Sequence, residues 1–217
     1  MNVAYNMDCM EYMKTLPDKA FELCICDPPY GIGDTFINYS SGNVKGKLER
    51  QHKKLEWDNT IPDKTYFNEL TRVSQRQIIW GANYFNCFDD GGAVVWYKNR
   101  GGNTLSQCEI ASVSGQKKID YVPIQILTGF VSNEIRIHPT QKPVALYEWL
   151  LAHYAKQGDR ILDTHLGSGS SRIAAYNLGF DFVGCEIDKD YFDAQETRFA
   201  AHTAQMNLFV DKEVEQV

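Results

Sequence analysis

The chain has 217 residues, 43% of them hydrophobic and 23% charged, the balance of a folded globular chain and not of a disordered one. It has no apolar run of about 18 residues, which argues against a membrane helix, and MNVAYNMDCM does not read as a signal peptide, so the expected location is cytoplasmic. The formal charge of −6 resides in residues 181–217, where nine acids face three bases, leaving 19 of each in residues 1–180.

In chain order, residues 8–16 (DCMEYMKTL) carry Met10, Met13 and Leu16 at helical spacing and stop at Pro17. FELCICD (21–27) reads as a buried strand running into Pro28-Pro29, with Cys24 and Cys26 sharing one face as core residues. Residues 31–63 turn polar and basic; Lys45, Lys47, Arg50, Lys53 and Lys54 concentrate five bases beside one acid in KGKLERQHKK. A helix is expected over 64–75 and strands over 77–82 and 91–98, followed by a mixed stretch, 99–137, with short strand-like pieces such as YVPIQIL. PVALYEWLLAHYAK (143–156) reads as a helix ended by Gly158, RILDTH as a strand, GSGSSRIAAYNLG as a loop and helix, and DFVGCEID as a strand before a last helix from Lys189 to about Thr203. Strands alternating with helices predict one doubly wound α/β domain over 1–217.

Three segments carry chemistry. Asp27-Pro28-Pro29-Tyr30 ends a hydrophobic strand, and in a doubly wound sheet the carboxyl ends of strands line the ligand crevice. Two prolines remove two N–H donors and leave carbonyl acceptors, so a carboxylate and a carbonyl can clamp an amino group while Tyr30 offers a flat face. Asp163-Thr164-His165-Leu166-Gly167-Ser168-Gly169-Ser170 links a strand to a helix, and Glu186 ends the next strand. A P-loop would need Gly-Lys-Ser/Thr, and the dinucleotide fingerprint a third glycine where Arg172 stands; D-x-x-x-G-x-G fits S-adenosylmethionine better. His138-Pro139-Thr140-Gln141-Lys142-Pro143 opens a helix, with Pro143 suited to its first turn.

In this order, DC-x-E-x-M-K-T-L-P, DPPY, HPTQKP, the glycine turn and the acidic strand end resemble the amino-methyltransferases of DNA. DPPY precedes the glycine loop, as in the permuted β class of that family. The match is close over 1–30 and 138–199, loose over 64–98, and weak elsewhere; Thr164-His165 replaces the aromatic or proline usual after the Asp of the glycine motif. The resemblance implies a Rossmann-like fold with a mostly parallel seven-stranded sheet and helices on both faces. It implies methyl transfer from S-adenosylmethionine to an exocyclic amine of a flipped base in double-stranded DNA, most often adenine N6 where DPPY is present. Asp27 and the Pro28 carbonyl would accept from the target amine within the Asp27, Pro28, Pro29, Tyr30 motif, with Tyr30 stacked on the base. Asp163, Gly167, Ser168 and Gly169 would surround the methionine half of the cofactor, Thr140 and Lys142 its carboxylate, Glu186 the ribose and Asp8 the adenine.

Other readings follow from the same residues: cytosine-N4 methylation, amine methylation of RNA or protein, or an inactive DNA-binding relative. C5 methylation needs a cysteine nucleophile, typically after proline, and the chain has no Pro-Cys pair. Five histidines without paired ligand spacing predict no metal site. The segments 31–63 and 99–137 are expected to share DNA recognition. Lys45, Lys47, Arg50, Lys53 and Lys54 would meet phosphates, and Arg100, Lys117, Lys118 and Arg136 are the bases of the second segment. Gln205-Met206-Asn207-Leu208-Phe209 resembles the short motif by which bacterial proteins dock to the replication sliding clamp through Gln205, Leu208 and Phe209. A monomer or homodimer is expected, of bacterial or phage type, solitary or in restriction–modification.

Overall fold

The computed structural model describes residues 1–32, 58, 60–88, 90–98, 106–122, 124 and 136–214, of which 206–214 by backbone only. The elements run β1 (Asn2–Tyr5), α1 (Cys9–Lys14), β2 (Phe21–Cys26), α2 (Lys64–Val73), β3 (Ser74–Trp80), α3 (Ala82–Phe85) and β4 (Ala93–Tyr97). They continue with β5 (Cys108–Val113), β6 (Ile119–Val122), α4 (Val144–Tyr154), β7 (Arg160–Asp163), α5 (Ser170–Asn177), β8 (Asp181–Cys185) and α6 (Lys189–Val214). Among the described residues they build one sheet of eight strands, β1-β8-β7-β2-β3-β5-β4-β6. All pairings are parallel except those of β5, which runs antiparallel to both β3 and β4.

The expected seven strands are therefore eight. β1 has no long apolar run, yet it pairs with β8 over Asn2↔Phe182 to Tyr5↔Cys185. β5 and β6 rise out of the stretch that reads as mixed. The helix expected to 75 ends at Val73, because Ser74 and Gln75 join the ladder of β3 directly. The strand read as YVPIQIL begins earlier, at Ile119, and α6 runs on to Val214, well past the expected Thr203.

Strand pleating divides β2 between two cores. Leu23 and Ile25 pack with Ile78, Trp80, Val94 and the α4 residues Leu146 and Leu150. Cys24 and Cys26 face the other way, against Met13 of α1 and Tyr66, Leu70 and Val73 of α2. Both layers are needed, since parallel strands are stable only when each face is covered. The sheet order reverses between β7 and β2, which pair at Leu23↔Ile161 and Cys24↔Leu162. Asp27 and the glycine turn, far apart in sequence, thus emerge side by side at the carboxyl ends of adjacent strands. No helix among the described residues is long and apolar enough to cross a membrane.

Candidate active site

β2 stops where the paired prolines end its ladder, and its last carboxylate is tied at both oxygens. Asp27 Oδ1 accepts from the Tyr30 hydroxyl at 2.5 Å, and Lys142 Nζ stands 2.5 Å from Oδ2. The turn after it is anchored by Asp58, whose Oδ1 accepts from the backbone N–H of Tyr30 (2.6 Å) and Gly31 (3.1 Å). The Tyr30 ring lies on Tyr84, centroids 4.8 Å apart at 16°, and meets the edge of Phe85. Gly81 makes this possible: its φ is +75°, and a Cβ there would fall 2.6 Å from Tyr30 Cδ1.

The segment before α4 delivers Lys142, whose side chain is only 4% exposed. Its ammonium also lies 3.0 Å from Glu109 Oε2 of β5 and within cation–π range of Trp80 (5.4 Å) and Tyr30 (5.7 Å). Glu109 in turn pairs with Lys98. Burial opposes the charge on both Lys142 and Glu109, and the opposite charges beside them prevail: Lys142 is held above the ordinary lysine range and Glu109 below the ordinary carboxylate range.

The loop after β7 uses different means. Burial pushes Asp163 up to about 7, although its carboxylate accepts from Ser171 Oγ (2.5 Å) and the His165 N–H (3.0 Å). Burial likewise lowers His138 and His165 to about 4, so both rings are neutral at pH 7. The Thr164 hydroxyl lies 2.7 Å from the Tyr66 hydroxyl and 3.0 Å from His165 Nδ1. Glu186 accepts the Gly167 N–H at 2.8 Å and the Asp188 N–H at 2.9 Å, while burial raises its pKa. Asp8 caps α1 by accepting from the Met10 N–H at 2.7 Å.

Between these two sides lies a cavity of about 440 Å³. Asp27, Pro29, Asp8, Thr140, Lys142, Gly167, Ser168 and Glu186 all line it. His138, His165, Tyr147 and Tyr191 also line it, and sequence patterning did not assign them. Among the described residues, Asp163, Gly169, Pro28 and Tyr30 are not on its wall. Asp163 is buried at the end of β7; Gly169 precedes α5 with φ +73°; Pro28 is buried; and Tyr30 is taken up by Tyr84 and Asp27.

The basic residues divide. Arg136 donates from Nε to the His138 carbonyl at 3.2 Å and so stands beside the crevice. Lys117 and Lys118 lie in the turn entering β6, at the sheet edge, four strands from β2; at about 4.8 Å per strand that is roughly 19 Å sideways. Lys118 pairs with Asp120 at 3.0 Å. Lys45, Lys47, Arg50, Lys53, Lys54 and Arg100 lie outside the described residues, as do the side chains of Leu208 and Phe209; Gln205 is exposed on α6.

Carboxyl strand ends, a reversal of strand order and a glycine turn at the reversal define an α/β protein with a ligand crevice of the nucleotide-binding kind. The family model described as DNA methylase, with N6 and N4 specificities, matches residues 79–197, more than half of the chain, and the protein belongs to that family. Its Asp27 motif lies ahead of the matched span. Type II methyltransferase M2.DpnII of Streptococcus pneumoniae is 23% identical over 246 aligned positions, covering 92% of this chain and 90% of the relative. The M1.HpyAVI–SAM complex shares the fold at TM-score 0.58 and 21% identity, over 91% of this chain and 100% of that one. The PvuII DNA methyltransferase, cytosine-N4-specific, shares it at TM-score 0.62 and 13% identity, over 92% and 86%.

Proposed function

We propose that this protein transfers a methyl group from S-adenosylmethionine to an exocyclic amine in DNA, at adenine N6. The observation that carries the reading is the Asp27 carboxylate opening on the same cavity as Gly167, Ser168 and Glu186. The residues fit the methyl donor of this family. The cavity has the size of a small-molecule site, the Asp8 and Glu186 carboxylates can accept from hydroxyl and amino groups, and the Thr140 and Ser168 hydroxyls can donate to a carboxylate. When bound, S-adenosylmethionine supplies an electrophilic methyl group.

The protein's own part is to present the amine. Each Asp27 oxygen keeps acceptor capacity beyond its contacts with Tyr30 and Lys142. An aromatic amine is a poor nucleophile because its lone pair is delocalised into the ring. Hydrogen bonds to Asp27 favour the pyramidal nitrogen and strengthen as positive charge develops there, so they stabilise the transition state more than the ground state. A base in a duplex must leave the stack to reach the cavity. The match of DPPY to adenine-N6 enzymes supports adenine, whereas the PvuII fold neighbour is cytosine-N4-specific.

The test is incubation with labelled S-adenosylmethionine and unmethylated DNA, followed by nucleoside analysis. N6-methyladenine is the expected product. N4-methylcytosine would keep the chemistry and correct the base, and label in neither nucleoside would overturn the reading.

A further inference from the structure

Lys98 and Glu109 belong to no motif in the sequence, yet they form the far half of the charge group on Asp27. The antiparallel register of β4 and β5 sets Glu109 opposite Trp96, and the Lys98 N–H donates to the Gln107 carbonyl at 2.8 Å. Lys98 and Glu109 thereby become diagonal neighbours across the ladder. Glu109 shares its strand face with Ala111 and Val113, which pack in the core with α4, and Lys142 enters from the start of that helix. Four alternating charges, Lys98–Glu109–Lys142–Asp27, then run from the sheet to the cavity.

We infer that Glu109 is a positioning residue for methyl transfer: held by Lys98, it anchors Lys142 so that the Asp27 carboxylate keeps one orientation toward the cavity. This rests on the reading of Asp27 as acceptor for the target amine. A lysine stem is flexible, and without a second anion the Oδ2 side of Asp27, unlike the Oδ1 side held by the Tyr30 hydroxyl, would rest on an ammonium able to shift. The second anion, Glu109, holds the ammonium at a second point, 3.0 Å away. It also offsets the burial of Lys142, whose surroundings include Asp27 and Tyr30 after β2, Lys98 across Glu109, His138 ahead of α4 and Tyr147 on the same cavity wall. Loss of Glu109 leaves a buried ammonium with one anionic partner and lets burial lower its proton affinity.

The experiment compares the parent chain with Glu109→Gln, Lys98→Met and Lys98→Arg in single-turnover methylation at saturating S-adenosylmethionine and DNA. The rate is expected to fall about 10- to 100-fold in Glu109→Gln, the scale of a misplaced reacting group, while affinity for S-adenosylmethionine and DNA is retained. Lys98→Arg should lose less than Lys98→Met. A measurement free of activity accompanies it: NMR of 15N-labelled lysine ammonium groups, with Lys142→Met identifying the resonance. Lys142 is expected to deprotonate at lower pH in Glu109→Gln than in the parent. A folded Glu109→Gln protein with parental rate, or with its loss confined to binding, overturns the inference. A parent chain that binds S-adenosylmethionine yet methylates no DNA overturns the reading of function instead. The Lys142 titration then decides the anchoring of Lys142 by Glu109 separately, a downward shift supporting it and an unmoved one overturning it. Should Glu109→Gln fail to fold, Glu109→Asp keeps the charge and retracts it, and the same two measurements apply with smaller changes.

Discussion

On the β2 side of the crevice, the carboxylates of Asp27 and Glu109 face the ammonium groups of Lys142 and Lys98; on the β7 side, Asp163 and Glu186 are held by backbone N–H groups and, for Asp163, a serine hydroxyl. The first arrangement holds Glu109 and Lys142 in their charged forms by pairing. The second leaves burial in command, so that Asp163 rises to about 7 while His138 and His165 fall to about 4. A buried ion pair resists pH but fails badly when one member is removed; where burial outweighs neutral donors, as at Asp163, the carboxyl titrates near neutrality.

The largest effect should come from breaking the paired side. Lys142→Met leaves Asp27 and Glu109 facing each other and is expected to cost about 3–5 kcal/mol of stability, measured by urea unfolding; a loss within experimental error would show the group is not held as a pair. Asp27→Ala should slow single-turnover methylation by about 10²- to 10³-fold, the scale of removing one transition-state hydrogen-bonding group, with S-adenosylmethionine binding kept. Retention of the parental rate would remove Asp27 from the chemistry.

The neutral-donor side is sharpened by pH. The two histidines, with folded pKa near 4 against an ordinary 6.5, contribute stability above pH 6.5 that is lost as pH falls toward 4. Asp163, raised from 3.8 to about 7, contributes in the opposite sense: stability present below pH 4 is lost as pH rises through 7. Each group changes the slope of stability by up to about 1.4 kcal/mol per pH unit within its window. His165→Gln should therefore flatten the loss on acidification and Asp163→Asn should steepen it, as read by unfolding at pH 4 to 7. Displacement of both curves in the same direction would contradict the burial assignment.

The smallest effect is steric. Gly81→Ala puts a Cβ against the Tyr30 ring at φ +75° and should cost about 1–2 kcal/mol. It should also slow methylation as the Tyr30 hydroxyl moves off Asp27. A crystal structure of the variant with Tyr30 unmoved would disprove that link.

Much of the β7 side was legible in the sequence because its chemistry is local. The Asp163–Gly169 turn, its flanking strand and helix, and Glu186 at the next strand end follow from neighbouring residues whose spacing states their geometry. Thr164-His165 stood out as a departure, yet the contact of Thr164 with Tyr66 of α2 did not, because it joins residues 98 positions apart. On the β2 side, DPPY and HPTQKP announced themselves separately. Residues 99–137 read as mixed, so nothing indicated that Glu109 would face Lys142. Asp58, which ties the Tyr30 turn, sits in a polar stretch without period, and Lys117 and Lys118, read as DNA-recognition residues, lie at the edge of the sheet, a position that depends on strand order.

Sequence alone determined that β2 stops at its paired prolines, where the glycine turn between β7 and α5 falls and that Cys24 and Cys26 share one face of β2, since these depend on proline and glycine backbone limits and on side-chain period. Tertiary structure decided the rest. The reversal between β7 and β2 brings Asp27 beside Gly167, the antiparallel β5 lays Glu109 on Lys142, and burial moves Asp163, His138 and His165 away from their ordinary ionisation. Strand order, register and desolvation are properties of segments meeting across the molecule, and no single segment encodes them.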